Sequence, residues 1–121
     1  MTFPCPACGF VVFAEPPGSY DICPVCGWED DDVQLRHPGM RGGANRLSLR
    51  EQQEEALRSN PVTEKRTGEW TRDPSWRPLR DDECVTEHAP RSGLEYFKAS
   101  GEGIPPHYWT TADSSTKKGN P

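Results

Sequence analysis

Hydrophobic positions concentrate in one stretch of this chain and fall on a sparse helical stripe in a second, and the elements they predict are short. Phe10-Val11-Val12-Phe13-Ala14 is a run of β-branched and aromatic residues, as a strand requires. Glu15-Pro16-Pro17-Gly18-Ser19 follows, and Pro17-Gly18 suits the centre of a type II turn, which takes Pro first and φ > 0 second. Tyr20-Asp21-Ile22 is expected to return antiparallel to the first run. The second stretch predicts a helix over Leu49–Ser59. Ser48 and Glu51 form a capping box, Asn60-Pro61 ends the helix, and Glu54 is placed to pair with Arg58 one turn later. Its apolar stripe, Leu49, Ala56 and Leu57, is too sparse for a helix that folds alone, so it should lie on the preceding unit.

Beyond Val62 the periodicity fades. Trp70, Trp76, Tyr96, Phe97, Tyr108 and Trp109 are dispersed among Arg-Pro, Asp-Pro and Gly-rich stretches and read as anchors clamping loops onto a core. Ser92 to Ser100 is expected to form a second short helix stopped by Gly101, and the polar residues Thr110 to Pro121 a disordered tail.

The chemistry lies in the cysteines that flank the first stretch. Cys5-Pro6-Ala7-Cys8-Gly9 and Cys23-Pro24-Val25-Cys26-Gly27 repeat one C-P-x-C-G turn, giving C-x2-C-x14-C-x2-C. This spacing predicts a four-thiolate metal site holding one structural zinc ion. Pro6 and Pro24 fix φ where each turn starts, and Gly9 and Gly27 permit the positive φ that aims backbone N–H groups at the sulfurs. The alternative is a pair of disulfides, as in small secreted domains. The opening Met-Thr-Phe-Pro-Cys has no basic n-region or apolar h-region, and no stretch approaches the ~20 apolar residues of a membrane span, so a reduced, cytoplasmic protein is expected. With so few apolar residues, the hairpin between the knuckles needs the metal as its staple. Trp28 directly follows the second knuckle and is expected to shield the sulfurs.

Composition agrees with a small unit. Of 121 residues, 32% are hydrophobic and 27% charged, with 13 prolines and 11 glycines, a thin supply for one continuous core. The expected fold is a small metal-stabilised α+β: a zinc-ribbon or rubredoxin-like knuckle hairpin, one short helix and a loop-rich C-terminal part. Its expected divisions are a knuckle unit over residues 1–36, a loop and capped helix over 37–60, an aromatic-anchored extension over 61–109 and a tail over 110–121. The net charge of −5 disfavours nucleic acid, which draws on concentrated Lys and Arg, although Arg36, Arg41, Arg46 and Arg50 could form a local basic face.

The two knuckles joined by E-P-P-G-S-Y, then I-C-P-V-C-G-W-E-D-D-D-V-Q and R-G-G-A-N-R-L-S-L, resemble the bacterial cysteine-rich CPCC family from about Pro4 to Ser59. The resemblance implies a small zinc-ribbon-like module and brings no catalytic residues with it. Ala7 stands where the family's name motif has an adjacent cysteine, so a redox role resting on that cysteine is not expected here.

Three function classes follow. The first is a non-catalytic zinc module that presents a surface to a protein partner, since four cysteine ligands leave no open position for water. Its surface would be Trp28, Glu29, Asp30, Asp31 and Asp32 together with Arg41, Gly42, Gly43 and Asn45, the acidic run being otherwise an ordinary solvated turn. The second is a rubredoxin-like iron site that transfers electrons, because a tetrahedral thiolate set accepts iron as well. The third is a nuclease built on His37, Asn45 and His88, with Asp30 to Asp32 as a magnesium site; it lacks any supporting motif. Cys84, without an x2 partner, is expected to be a packing residue or a free thiol and not a ligand.

Overall fold

A computed structural model describes residues 2–86, 89–99 and 105–110. Among these residues it is a small α+β structure: two minimal antiparallel hairpins, short helices that include a helical segment at 108–110, and a 3-10 turn, arranged around a cluster of four cysteines. In chain order the elements are β1 (Phe3–Pro4), β2 (Val11–Phe13), α1 (Asp32–Arg36), α2 (Leu49–Ser59), β3 (Arg66–Thr67), β4 (Trp70–Thr71), the turn Asp81–Glu83 and α3 (Gly93–Ala99).

The expected strand forms, but with a different partner. β2 pairs with β1, in the register Phe3 to Phe13 and Pro4 to Val11, and not with Tyr20–Ile22. The Tyr20–Ile22 segment pairs forward across its own knuckle: the Tyr20 N–H donates to the Asp30 carbonyl at 3.0 Å, the Asp30 N–H to the Asp21 carbonyl at 2.9 Å, and Ile22 bridges Glu29. Each knuckle is therefore the tip of its own short hairpin. Pro17-Gly18 makes the turn between the two halves, with Gly18 at φ 98°.

Helix α2 runs over the expected residues, and both bonds of the Ser48–Glu51 capping box are made. Its charges pair differently: Arg58 meets Glu55 at 2.5 Å, one residue short of Glu54, and Glu54 faces Arg50 at 3.7 Å. The helix lies on the knuckles, but its buried face is Leu49, Gln53 and Ala56, with Gln53 in the place expected of Leu57. The Gln53 amide donates to the Pro6 carbonyl at 2.9 Å and to the Tyr108 hydroxyl at 2.7 Å, and accepts from the Leu79 N–H at 2.9 Å. A buried amide so fully bonded costs little and fixes where three separate segments meet.

The acidic run folds inward. Asp30, Asp31 and Asp32 are 2%, 0% and 4% exposed, so they form no solvated turn. Asp31 is the N-cap of α1, accepting from the N–H groups of Val33 at 2.7 Å and Gln34 at 3.1 Å. Local composition made this segment look solvated; capping and long-range hydrogen bonds hold it inside.

The dispersed aromatics behave as anchors for the most part. Trp76 and Trp109 are buried, and the Trp76 indole N–H donates to the Pro6 carbonyl at 3.1 Å. Phe97 is the exception, with 75% of its surface exposed. The expected second helix appears as α3; Ser100 and Gly101, like residues 111–121 of the expected tail, lie outside the described residues. No described helix is long and apolar enough to cross a membrane.

Candidate metal centre

The two knuckles have the same internal bonding. The Gly9 N–H donates to the Cys5 carbonyl at 2.7 Å and the Gly27 N–H to the Cys23 carbonyl at 3.0 Å. The Cys5 N–H reaches the Phe10 carbonyl at 2.9 Å, and the Cys23 N–H the Trp28 carbonyl at 2.8 Å. Both glycines take positive φ, 83° and 85°. Their N–H groups close the turns on carbonyl oxygens; in the second knuckle it is Val25 and Cys26 whose N–H groups reach the Cys23 sulfur, at 3.3 and 3.4 Å.

These turns bring Cys5, Cys8, Cys23 and Cys26 together, with all four sulfurs within 4.8 Å of one another. The Cys5–Cys26 and Cys8–Cys23 sulfur separations are each 3.7 Å. A tetrahedral ion about 2.3 Å from each sulfur sets the sulfurs about 1.63 times that distance apart, or about 3.75 Å. A disulfide requires about 2.05 Å. The quartet thus fits a tetrahedral thiolate site, all five cysteines are free, and the disulfide alternative is set aside. The contacts cross between knuckles, so one ion would tie the two hairpins together.

The electrostatics point the same way. Burial pushes the Cys5 thiol well above its ordinary value, and hydrogen bonding with Cys23 pushes Cys8 up, while hydrogen bonds from Cys26 and its neighbours hold Cys23 down. Thiols this crowded and buried resist sharing several negative charges; a divalent cation removes the conflict. Trp28, Phe10, Leu49 and the fully buried Ala7 pack into the same core around the buried Cys5, Cys8 and Cys23, while Cys26 is half-buried. Among the described residues this is the one group of donor side chains that could hold a metal ion.

Arg72 sits beside the centre, and nothing in the sequence singles it out. It is 3% exposed, and its guanidinium donates to four carbonyls: Cys8 at 2.9 Å, Pro61 at 2.6 Å, Glu64 at 2.8 Å and Asn60 at 2.9 Å. It lies over the Phe10 ring at 4.4 Å and has no carboxylate within ion-pair distance among the described residues. Burial lowers its pKa below the ordinary value, and the nearby Cys8 sulfur is the largest opposing influence. A buried cation without a carboxylate suits a site that carries net negative charge when four thiolates bind one divalent ion.

The other candidate residues divide. Asn45 is an internal brace: its side-chain oxygen accepts from the Glu29 N–H at 2.8 Å, and its amide donates to the Glu29 carbonyl at 2.8 Å and the Gln34 side chain at 3.0 Å. That leaves it unsuited to a His-Asn-His constellation, whose His88 lies outside the described residues. Asp30 accepts from the Ser19 hydroxyl at 2.7 Å, and burial raises its pKa to about 6. Arg41 is bound by Glu51 and Arg50 by Asp81, so two of the four arginines of the expected basic face are neutralised. Cys84 lies apart from the quartet, with the Arg50 guanidinium 3.5 Å from its sulfur and its thiol pKa raised by burial. Arg41 and Gly42 remain exposed, on a loop leading into α2.

The family model described as Cysteine-rich CPCC matches residues 3–77, extending past α2 to include Arg72 and Trp76. No curated protein matches the chain. The match covers well over half of the sequence, and the chain belongs to the cysteine-rich CPCC family.

Proposed function

We propose that this cysteine-rich CPCC protein holds one zinc ion through Cys5, Cys8, Cys23 and Cys26, that the ion is structural, and that the folded module serves as a docking surface for a protein partner. The observation that carries the reading is the pair of 3.7 Å sulfur separations across the knuckles, the edge length of a tetrahedral thiolate site. A bound zinc would supply cross-linking of the two hairpins. The protein supplies four donors, N–H groups to the Cys23 sulfur, the Arg72 cation and an apolar cover.

A non-catalytic role is supported by the character of the site. All four donors are cysteines, three of them buried and Cys26 half-buried, and a four-cysteine set leaves no coordination position for water or substrate. Because Asp30, Asp31, Asp32 and Asn45 are spent on internal bonds, the partner surface narrows to the Arg41–Ala44 loop and what lies beside it. Electron transfer through iron is the competing use of the same donors and is separated by colour, since an iron tetrathiolate absorbs visible light.

The test is removal of the ion. A strong chelator should abolish the native tryptophan emission and circular dichroism, and zinc should restore both. A protein that keeps its fold and its host partners after complete demetallation would show that the ion is not structural.

A further inference from the structure

The Arg41–Ala44 loop and helix α3 face one another across a cleft of about 510 Å³. Met40, Tyr96 and Phe97 give it apolar walls, and its charged lining residues are Arg41 and Arg91, with no carboxylate among them. Arg41 is already paired with Glu51, which is not part of the lining, so Arg91 is the lining cation without an ion-pair partner among the described residues, and it stands beside the apolar walls.

The walls are fixed by one buried group. A single oxygen of Asp31 accepts from the Ala44 N–H at 2.8 Å on one wall and from the Tyr96 hydroxyl on the other. Gln34 holds the same loop through the Asn45 N–H at 3.0 Å. The loop lies so close to this scaffold that a Cβ at Gly43 would stand 2.6 Å from the Asp31 carboxylate and 2.9 Å from Gln34, whereas a Cβ at Gly42 would meet open space. The cleft is thus shaped before any ligand arrives, which reduces the ordering cost of binding. Phe97 projects at its rim, packed edge-on against Tyr96 with ring centroids 5.9 Å apart.

Resting on the reading of the chain as a protein-interaction module, we propose that this cleft binds a short peptide segment that carries a carboxylate beside an apolar side chain. Arg91 would take the carboxylate; Met40, Tyr96 and Phe97 would take the neighbouring side chain. The volume lies within the ~300–1,000 Å³ of ordinary ligand sites and suits a few side chains rather than a folded surface. One unpaired arginine with no lysine in the lining is too little charge for a nucleic-acid track, whose affinity grows with each phosphate neutralised.

The experiment uses the metal-loaded full chain and an array of seven-residue peptides. Each has one central Asp or Glu flanked by aliphatic or aromatic residues, and is matched with a twin carrying Asn or Gln. Acid–apolar peptides should be retained over their amide twins, with retention falling as salt rises. R91A and F97A, both at exposed positions, should each weaken retained peptides about tenfold in fluorescence polarisation, and the exposed arginine variant R66A, outside the cleft, should leave them unchanged. Thermal unfolding of the variants confirms that folding is kept. Equal retention of acids and amides, or no retention at all, overturns the proposal. Displacement by inorganic phosphate as effective as by free peptide would make the cleft a phosphate site and also overturn it, as would dimers in sedimentation that R91A dissolves. If host partners are captured equally by wild type, R91A and F97A, the interaction reading stands and the cleft assignment alone is wrong.

Discussion

Replacing Arg72 with Met removes a buried cation while keeping an unbranched apolar stem. The Cys8 carbonyl lies inside the core, and losing its 2.9 Å donor leaves it unsatisfied, at a cost of about 1–3 kcal/mol. The carbonyls of Asn60, Pro61 and Glu64 belong to half-buried or exposed residues, where water can take over, so each loses at most about 0.5–1.5 kcal/mol. The contact with Phe10 at 4.4 Å adds about 1 kcal/mol. Against these losses, the variant no longer buries a charge. A net destabilisation of roughly 2–4 kcal/mol follows, a large share of the ~5–15 kcal/mol available to a small domain. Denaturant unfolding of the metal-loaded protein, followed by tryptophan emission, measures it. Metal transfer to a chromophoric chelator should also be faster, because the positive charge beside the thiolates is gone. R72K, with the charge but without the fork of donors, should fall between wild type and R72M. A loss under about 0.5 kcal/mol with unchanged metal release would refute the role given to Arg72.

Four further outcomes are expected. Cys23→Ser should lose the metal and the native fold, whereas Cys84→Ser should leave metal stoichiometry unchanged, both read by metal analysis of purified protein. Gly9→Ala would place a Cβ 2.5 Å from the Trp76 ring at φ 83°, and Gly27→Ala meets nothing at φ 85°; the second should cost about 1–2 kcal/mol in thermal unfolding and the first clearly more. Ser48→Ala breaks the capping box of α2 and should cost about 1 kcal/mol by the same measurement. Asp30 binds its proton more tightly folded, at about 6, than its ordinary 3.8, so its contribution favours the folded state at low pH and is lost as pH rises from near 4 through 6. Subtracting the stability–pH curve of D30N from that of wild type should show this fall; a flat difference would contradict it.

What was legible in the sequence was what local chemistry decides. The knuckles are set by spacing, and α2 by a cap and a stop that act within four residues of its ends. The strand partner of Val11–Phe13 does not follow from the sequence, because two- and three-residue strands carry no register signal of their own. The acidic run is illegible for a related reason: three adjacent aspartates look solvated, and their burial depends on Ser19, Ala44 and, 65 residues from Asp31, Tyr96. Arg72 is not legible in the sequence, because a lone arginine between Thr71 and an Asp-Pro pair has no diagnostic spacing; only the fold shows four carbonyls converging on it. The glycines of the Arg41 to Asn45 segment are visible in the sequence, but the cleft this segment forms depends on α3 on the other side.

The account depends most on what the four cysteines hold. The decisive measurement is the metal content and visible spectrum of the full chain purified from its host without added metal. The account predicts about one equivalent of zinc per chain and a colourless protein in which the four sulfurs resist thiol reagents until the metal is removed. A folded, metal-free protein with all five thiols reactive would contradict the metal centre itself, and stoichiometric iron with visible absorption would contradict the structural zinc assigned to it.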